Sequence, residues 1–256
     1  MIRAIFFDID GTLVSLSTHR IPESAKQALN ALRGRGIRLF ICSGRPLCAI
    51  DNLEEQTFDG FITVNGGICT YNGEVIHRNP IVRPDIESWK SYTRQHNGEG
   101  FYITEDRVFM SSRCEATSQF IDLLNFITPE IRTLDELGEE PIFQMVGLFG
   151  QDEDGMVTEA LPHCRLTRWH PTFSDIIPDN SNKSIGIKAL LAHTGIRREE
   201  CMAFGDGSND MEMLRFVGTG IAMGGSGSNV IEAADYVTTP TDEDGIWNAL
   251  RHFSVI

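Results

Sequence analysis

The sequence predicts an α/β protein, a parallel-sheet core interrupted by an inserted α+β unit. Three observations carry this. Short runs of large apolar residues, "IFF" at 5–7, "IRLFIC" at 37–42 and "CMAF" at 201–204, read as strands buried on both faces, the habit of parallel sheets. Segments with helical apolar spacing separate these runs. The same texture occupies both ends of the chain, whereas the stretch from about 84 to 182 mixes short helices with alternating strands.

Each element follows from its residues. "IPESAKQALNALRGRG" sets Ala25, Ala28, Leu29 and Leu32 on one helical face, with Pro22 in the first turn and Gly34 and Gly36 at the end. "GFITV" is a third core strand, and "ICTYNGEVIH" a hairpin turning at Asn72 and Gly73. In the insertion, Phe120, Leu123, Leu124 and Ile127 recur at helical spacing, and "FYIT", "RVFM", "FQMVGLF" and "FSDII" read as strands of a separate antiparallel sheet. After Lys183 come a helix with Ile187, Leu190 and Leu191, the strand "CMAF", a helix with Met211 and Leu214, and the strand "GIAM". A last helix places Ile246, Ala249, Leu250 and Phe253 on one face. The expected division is therefore a core of 1–83 and 183–256, with a cap of 84–182.

Composition narrows the function. The chain has 256 residues, 41% of them hydrophobic and 23% charged, enough for a substantial core. Its net charge of −14 disfavours nucleic acid and anionic membrane surfaces, so a phosphate-bearing ligand must be held by local cations. Cys42, Cys48, Cys69, Cys114, Cys164 and Cys201 have no CxxC or zinc-like spacing and read as small hydrophobes in a reducing compartment. The first apolar run stops at Asp8, too short for a signal peptide, and no stretch spans a bilayer. A cytoplasmic location is expected. Oligomeric state is not encoded legibly, and a monomer is compatible.

Four polar motifs fall at strand ends or helix starts, where open parallel sheets bind ligands. "DIDGT" follows the first strand, "SGRP" (43–46) the second, "NKS" (182–184) opens the re-entry helix, and "GDGSND" (205–210) follows "CMAF". Taken singly each has a structural reading: a tight turn, a helix cap by Ser43 or Ser208, a surface lysine. Their ordered conjunction does not. Asp8 and Asp10 lie two apart, so an extended backbone sends both side chains the same way. Asp206 and Asp210 bring two more acids. Four neighbouring carboxylates require a cation or raised pKa values, and oxygen ligands without His or Cys favour Mg²⁺. Ser43 and the Gly44 amide, ahead of a helix that Pro46 can open, offer donors to phosphate oxygens.

The set resembles the haloacid dehalogenase superfamily, and within it the Cof-like phosphatases with a large α/β cap. "RWHPTFSD" and "DYVTTPTDEDGI" resemble bacterial hexose-phosphate phosphatases of that subgroup. The resemblance implies a Rossmann-like core, Asp8 as nucleophile forming an aspartyl-phosphate, and Asp10 as general acid and base. It implies Mg²⁺ on the Asp8 carboxylate, the Asp10 carbonyl and Asp206, with Asp210 a ligand or its partner. Lys183 then neutralises Asp8 and the phosphoryl group, and Asn209 binds phosphate or orients ligands. The substrate implied is a small phosphorylated metabolite, a sugar phosphate. The third motif departs from the family pattern in reading Lys183-Ser-Ile-Gly186, where the family has Gly directly after Lys.

Several roles stay open at this point. Arg45 reads as a phosphate contact or a structural ion pair, Asn65 and Gly66 as pocket floor or plain turn. Trp169, His170 and Phe173 can meet the leaving group or pack the cap; Phe101, Tyr102 and Phe109 read as core, and His19 as solvated. Two competing functions remain: a phosphomutase passing the phosphoryl group to another hydroxyl, and a receiver-like phosphoacceptor. Asp10 and the large cap argue against the second.

Overall fold

The computed structural model describes residues 1–124 and 128–256, with the backbone alone of Leu124 and Trp169. Ile127 and the Trp169 side chain therefore lie outside the described residues. The chain forms two compact units, one of Met1–Arg45, Ala49–Arg78 and Asn182–Ile256, the other of Pro46–Cys48 and Asn79–Ser181.

The first unit begins β1 (Ala4–Phe7), α1 (Glu23–Gly34), β2 (Arg38–Cys42), β3 (Gly60–Thr63), β4 (Ile68–Tyr71) and β5 (Glu74–Arg78). The second contains α2 (Arg83–His96), β6 (Glu99–Ile103), β7 (Val108–Met110), α3 (Glu115–Leu124), β8 (Glu130–Ile131), α4 (Leu134–Leu137), β9 (Gln144–Leu148), α5 (Asp154–Ala160), β10 (Cys164–His170) and β11 (Phe173–Pro178). The chain then returns to the first unit with α6 (Lys183–Thr194), β12 (Cys201–Gly205), α7 (Met211–Phe216), β13 (Thr219–Ala222), α8 (Ser228–Ile231), β14 (Tyr236–Val237) and α9 (Gly245–His252).

The first unit's sheet has the order β14-β13-β12-β1-β2-β3-β4-β5. Strands β14 through β3 run parallel, and β4 and β5 add an antiparallel edge as the expected hairpin. Strand β1 is central and buried on both faces, because successive side chains alternate. Ile5 and Phe7 pack with α1 and α9, while Ala4 and Phe6 pack with α6 and α7. Phe6 stacks on Phe40 at 5.1 Å between ring centroids and Phe7 on Phe204 at 5.3 Å, tying β1 to β2 and β12. Those three strands carry the motif loops.

The second unit is an α+β layer with sheet order β10-β11-β9-β6-β7-β8, antiparallel except for the β7–β8 pair. One sheet face packs Tyr102, Phe109, Met145 and Ile176 against Ile86, Trp89 and Val157 of the helices. Phe101, Tyr102 and Phe109 are core residues, as expected. Two expected faces shift. Leu123 is exposed, although Phe120 of the same stripe is buried against Phe101. Phe253 falls just beyond α9 and is partly exposed, since the helix ends at His252.

Candidate active site

The C-terminal ends of β12, β1, β2 and β3 lie side by side. Parallel pairing sets Phe7 level with both Phe204 and Ile41, and the Asp8 amide continues the ladder to the Phe204 carbonyl at 3.0 Å. The residues just past these ends are Asp206, Asp8, Ser43 and Asn65. One loop cluster thus collects three of the motifs, and α6 supplies the fourth.

Lys183 opens α6 and is wholly buried. Its Nζ donates to Asp8 Oδ1 and to Asp210 Oδ1, each at 2.6 Å. Asn182 caps the helix by accepting the Ile185 amide at 3.2 Å, and the Ser184 hydroxyl donates to the same Asn182 oxygen at 2.6 Å. The displaced glycine of this motif has a packing reason. A Cβ on Gly186 would lie 2.4 Å from Ile62 Cγ2, so the glycine lets α6 settle onto β3.

Carboxylate oxygens of Asp8, Asp206 and Asp210 all lie within 4.8 Å of one another. Asp210 is fully committed to organising the loop: Oδ1 takes Lys183, and Oδ2 accepts the Asp206 amide at 3.0 Å and the Gly207 amide at 2.9 Å. Asp206 accepts the Thr12 hydroxyl at 2.7 Å. Burial pushes the Asp8 carboxyl well above its usual range; Lys183 pulls it back, and Asp210 and Asp206 push it further up. Burial likewise raises Asp206, with the Thr12 bond opposing. At Lys183 burial works against the charge, but Asp210 and Asp8 outweigh it and hold the ammonium above its ordinary range. Three clustered acids, two of them buried and bonded to Lys183, thus have one ammonium among them, and the cluster is short of positive charge. An oxygen-only donor set with that deficit fits a hard divalent cation.

Asp10 departs from the expected geometry. Strand β1 ends at Phe7, and the chain turns at once: the Asp8 and Ile9 carbonyls accept the Leu13 amide at 3.2 and 3.0 Å, and Ile9 also takes the Val14 amide at 2.8 Å. Without extended backbone the alternation rule does not apply to these two side chains. Asp10 is instead gripped by both arms of the Arg45 guanidinium, Nε to Oδ2 and Nη2 to Oδ1 at 2.8 Å each. That answers the open question about Arg45 with an ion pair, and the Asp10 carboxylate is not part of the three-acid group.

The remaining candidates surround the cluster. Ser43 is buried, and its hydroxyl accepts the Arg45 amide at 3.1 Å. Only a 3-10 turn, Leu47–Ala49, follows Pro46, so the expected helix start does not form there. Gly44 lies against Asn65, whose Oδ1 would stand 3.2 Å from any Cβ at Gly44. Asn209 donates through Nδ2 to that same Asn65 oxygen at 3.1 Å. Asn65, left open by sequence, is buried and joins the second and fourth motif loops. It and Val64 adopt left-handed backbone, with φ of 51° and 52°. That conformation is costly for a β-branched residue and is common at functional sites. Ser208 is exposed and caps nothing by its side chain; the Asp210 carboxylate serves the turn. In the second unit, His170 stacks on buried Phe173 at 4.7 Å and shares a 3.0 Å contact with the Thr172 hydroxyl.

Comparison with known proteins fits this geometry to a family. A family model of haloacid dehalogenase-like hydrolases matches residues 5–250. The chain belongs to that family. It is 33% identical to YkrA of Bacillus subtilis (strain 168), named as a candidate phosphatase, over 99% of this chain and 98% of that protein. The solved structure of BT4131, described as a HAD subclass IIB sugar phosphatase, shares 37% identity with a TM-score of 0.90, covering 99% of this chain and all of that one. BT1666 from Bacteroides thetaiotaomicron, described among the phosphatases of the superfamily, shares 30% identity with a TM-score of 0.92, covering 100% of this chain and 96% of that one. The chain is thus a hydrolase of the phosphatase and phosphotransferase superfamily. Among the described residues no helix is long and apolar enough to cross a membrane.

Proposed function

We propose that this hydrolase cleaves small phosphomonoesters, sugar phosphates in particular, by two displacements at phosphorus. The observation that carries the reading is the buried Lys183 ammonium, shared at 2.6 Å by Asp8 and Asp210 beside Asp206. It opposes the protonation that burial favours at Asp8, in a site that still attracts positive charge. Asp8 attacks phosphorus, the ester P–O bond breaks, and the leaving oxygen takes a proton from Asp10. Water then attacks the phosphoryl group on Asp8, gives a proton to Asp10, and releases phosphate as the Asp8–phosphorus bond breaks. Ser43, the Gly44 amide, Asn209 and Lys183 bind the phosphoryl oxygens, and Arg45 sets where Asp10 waits. The Asp8 and Asp206 carboxylates with the Asp10 carbonyl would hold Mg²⁺, with Asp210 bracing them. When bound, the ion would supply the positive charge that the three-acid cluster lacks.

The region 84–182 is the part we assign to leaving-group selection, because the core residues meet only the phosphoryl group that every candidate substrate shares. The test is phosphate release from hexose, pentose, nucleotide and cofactor phosphates, with Mg²⁺ and with EDTA. Hexose phosphates should be preferred and EDTA should abolish turnover until Mg²⁺ is restored. Full activity in metal-free buffer would refute the cation assignment.

A further inference from the structure

Thr241 lies in the loop between β14 and α9, far along the chain from the motif residues of the active site. Its hydroxyl donates to the Gly11 carbonyl, and the Thr12 carbonyl stands 3.3 Å from the same oxygen. A hydroxyl has one proton, so two successive carbonyls share a single donor. One residue on, Asp242 accepts the Ser17 hydroxyl at 3.0 Å. The loop leaving β1 is thereby stitched to 241–242 at two points.

Inward of the first stitch sits Thr12, fully buried, whose hydroxyl donates to Asp206 Oδ1 at 2.7 Å. Gly11 has φ of +84°, and a Cβ there would come within 2.5 Å of Asp206 Oδ2. The backbone of 11–12 therefore presses directly on the Asp206 carboxylate. Its placement is what aims the Thr12 hydroxyl.

We infer that Thr241 is a positioning residue for the divalent cation: it fixes the Gly11–Thr12 backbone, which fixes the Thr12 hydroxyl, which orients the Asp206 carboxylate. The inference rests on the proposed reading that Asp206 is a cation ligand. Partners that hydrogen-bond a ligating carboxylate set its direction, and their loss costs about 10–100-fold in metal affinity. Thr241 acts through one more link, which puts its effect at the low end, roughly 10-fold. Thr241 is only half-buried, so removing its hydroxyl does not open the core.

The experiment compares wild type, Thr241→Val, Thr241→Ser and Ser17→Ala. The readout is the Mg²⁺ concentration at the midpoint of the Mg²⁺-induced rise in melting temperature, without substrate, alongside the Mg²⁺ dependence of phosphate release. Thr241→Val should raise both midpoints about 10-fold, while KM for substrate at saturating Mg²⁺ stays within about twofold. Thr241→Ser keeps the donor and should match wild type. Ser17→Ala cuts the other stitch and should leave the midpoints unchanged; Thr241→Ala replaces the valine variant if that one does not fold. A valine variant that melts lower with an unchanged Mg²⁺ midpoint overturns the inference and leaves the cation reading standing. A wild-type protein whose melting temperature ignores Mg²⁺ overturns both.

Discussion

Replacing Lys183 with Met keeps the length of the side chain and deletes its charge. Nζ is wholly buried and is shared by Asp8 and Asp210 at 2.6 Å each. Removing one partner of a buried ion pair costs about 3–5 kcal/mol, because the other charge is left uncompensated. The two pairs do not double that cost, since Asp8 can take up a proton, a change its burial already favours. For a chain of this size each kcal/mol is worth about 2–4 °C, so the melting temperature should fall by roughly 6–20 °C in metal-free buffer near pH 8.

The loss should depend on pH in a definite sense. The folded-state pKa of Asp8 is raised above its unfolded value, so its contribution to stability is full below the ordinary carboxyl range and is lost as pH rises through the raised value. Without Lys183 the only large opposing influence is gone, and the loss extends to higher pH. Lys183 itself stays charged throughout this window in wild type. The gap between wild type and Lys183→Met should therefore be widest near pH 8 and narrow toward pH 5. Thermal melts at pH 5, 6.5 and 8 measure it. A gap below about 2 °C at pH 8, or one that fails to shrink at pH 5, would refute this role for the buried ammonium. Phosphate release by the variant should fall by about 10²–10³-fold, the scale of losing one preorganised charge donor.

Asp8→Asn should abolish phosphate release while the melting temperature in metal-free buffer holds or rises, because one of three crowded carboxylates is neutralised and Lys183 keeps Asp210. Release near the wild-type rate would rule out Asp8 as nucleophile. Gly186→Ala should lower stability by about 1–2 kcal/mol, the overpacking against Ile62 outweighing the helix propensity gained, and urea unfolding reads it directly.

The core strands were legible because they are buried on both faces, which writes an unbroken apolar run into "IFF", "IRLFIC" and "CMAF". Three of the motif loops were legible because each sits where such a run stops, and "NKS" because it opens a helix. Strand β10 was harder. Arg165 and Arg168 interrupt its apolar pattern, so "FSDII" reads as a strand but its hairpin partner, Cys164–His170, does not. The turn that follows Asp8, which ends the period-two alternation its spacing from Asp10 assumes, was not readable either. Partners distant in sequence were out of reach altogether. Arg45 finds Asp10 across 35 positions because β1 and β2 are neighbours in the sheet, and Asn209 finds Asn65 across 144 because the loops after β12 and β3 meet at the same end of it. Asn65 carried one faint signal, an Asn-Gly pair at a strand end, which a simple turn explains equally well.

The cluster also explains why it is built on this part of the fold. Three carboxylates that repel one another cannot arrange themselves; something stiff must hold them. Strand β1 provides that, walled by aromatic stacks to β2 and β12 and packed between helices on both faces. The resulting site has excess negative charge within a chain of net charge −14, so a phosphate ester approaching the three acids meets repulsion that Lys183 only partly offsets. On the proposed reading the cation therefore enters before or together with the ester. Its arrival relieves the repulsion among the acids and so stabilises the fold as well as priming the chemistry. On that reading one ion links stability to catalysis, and the melting temperature then reports on the cation site without any substrate present.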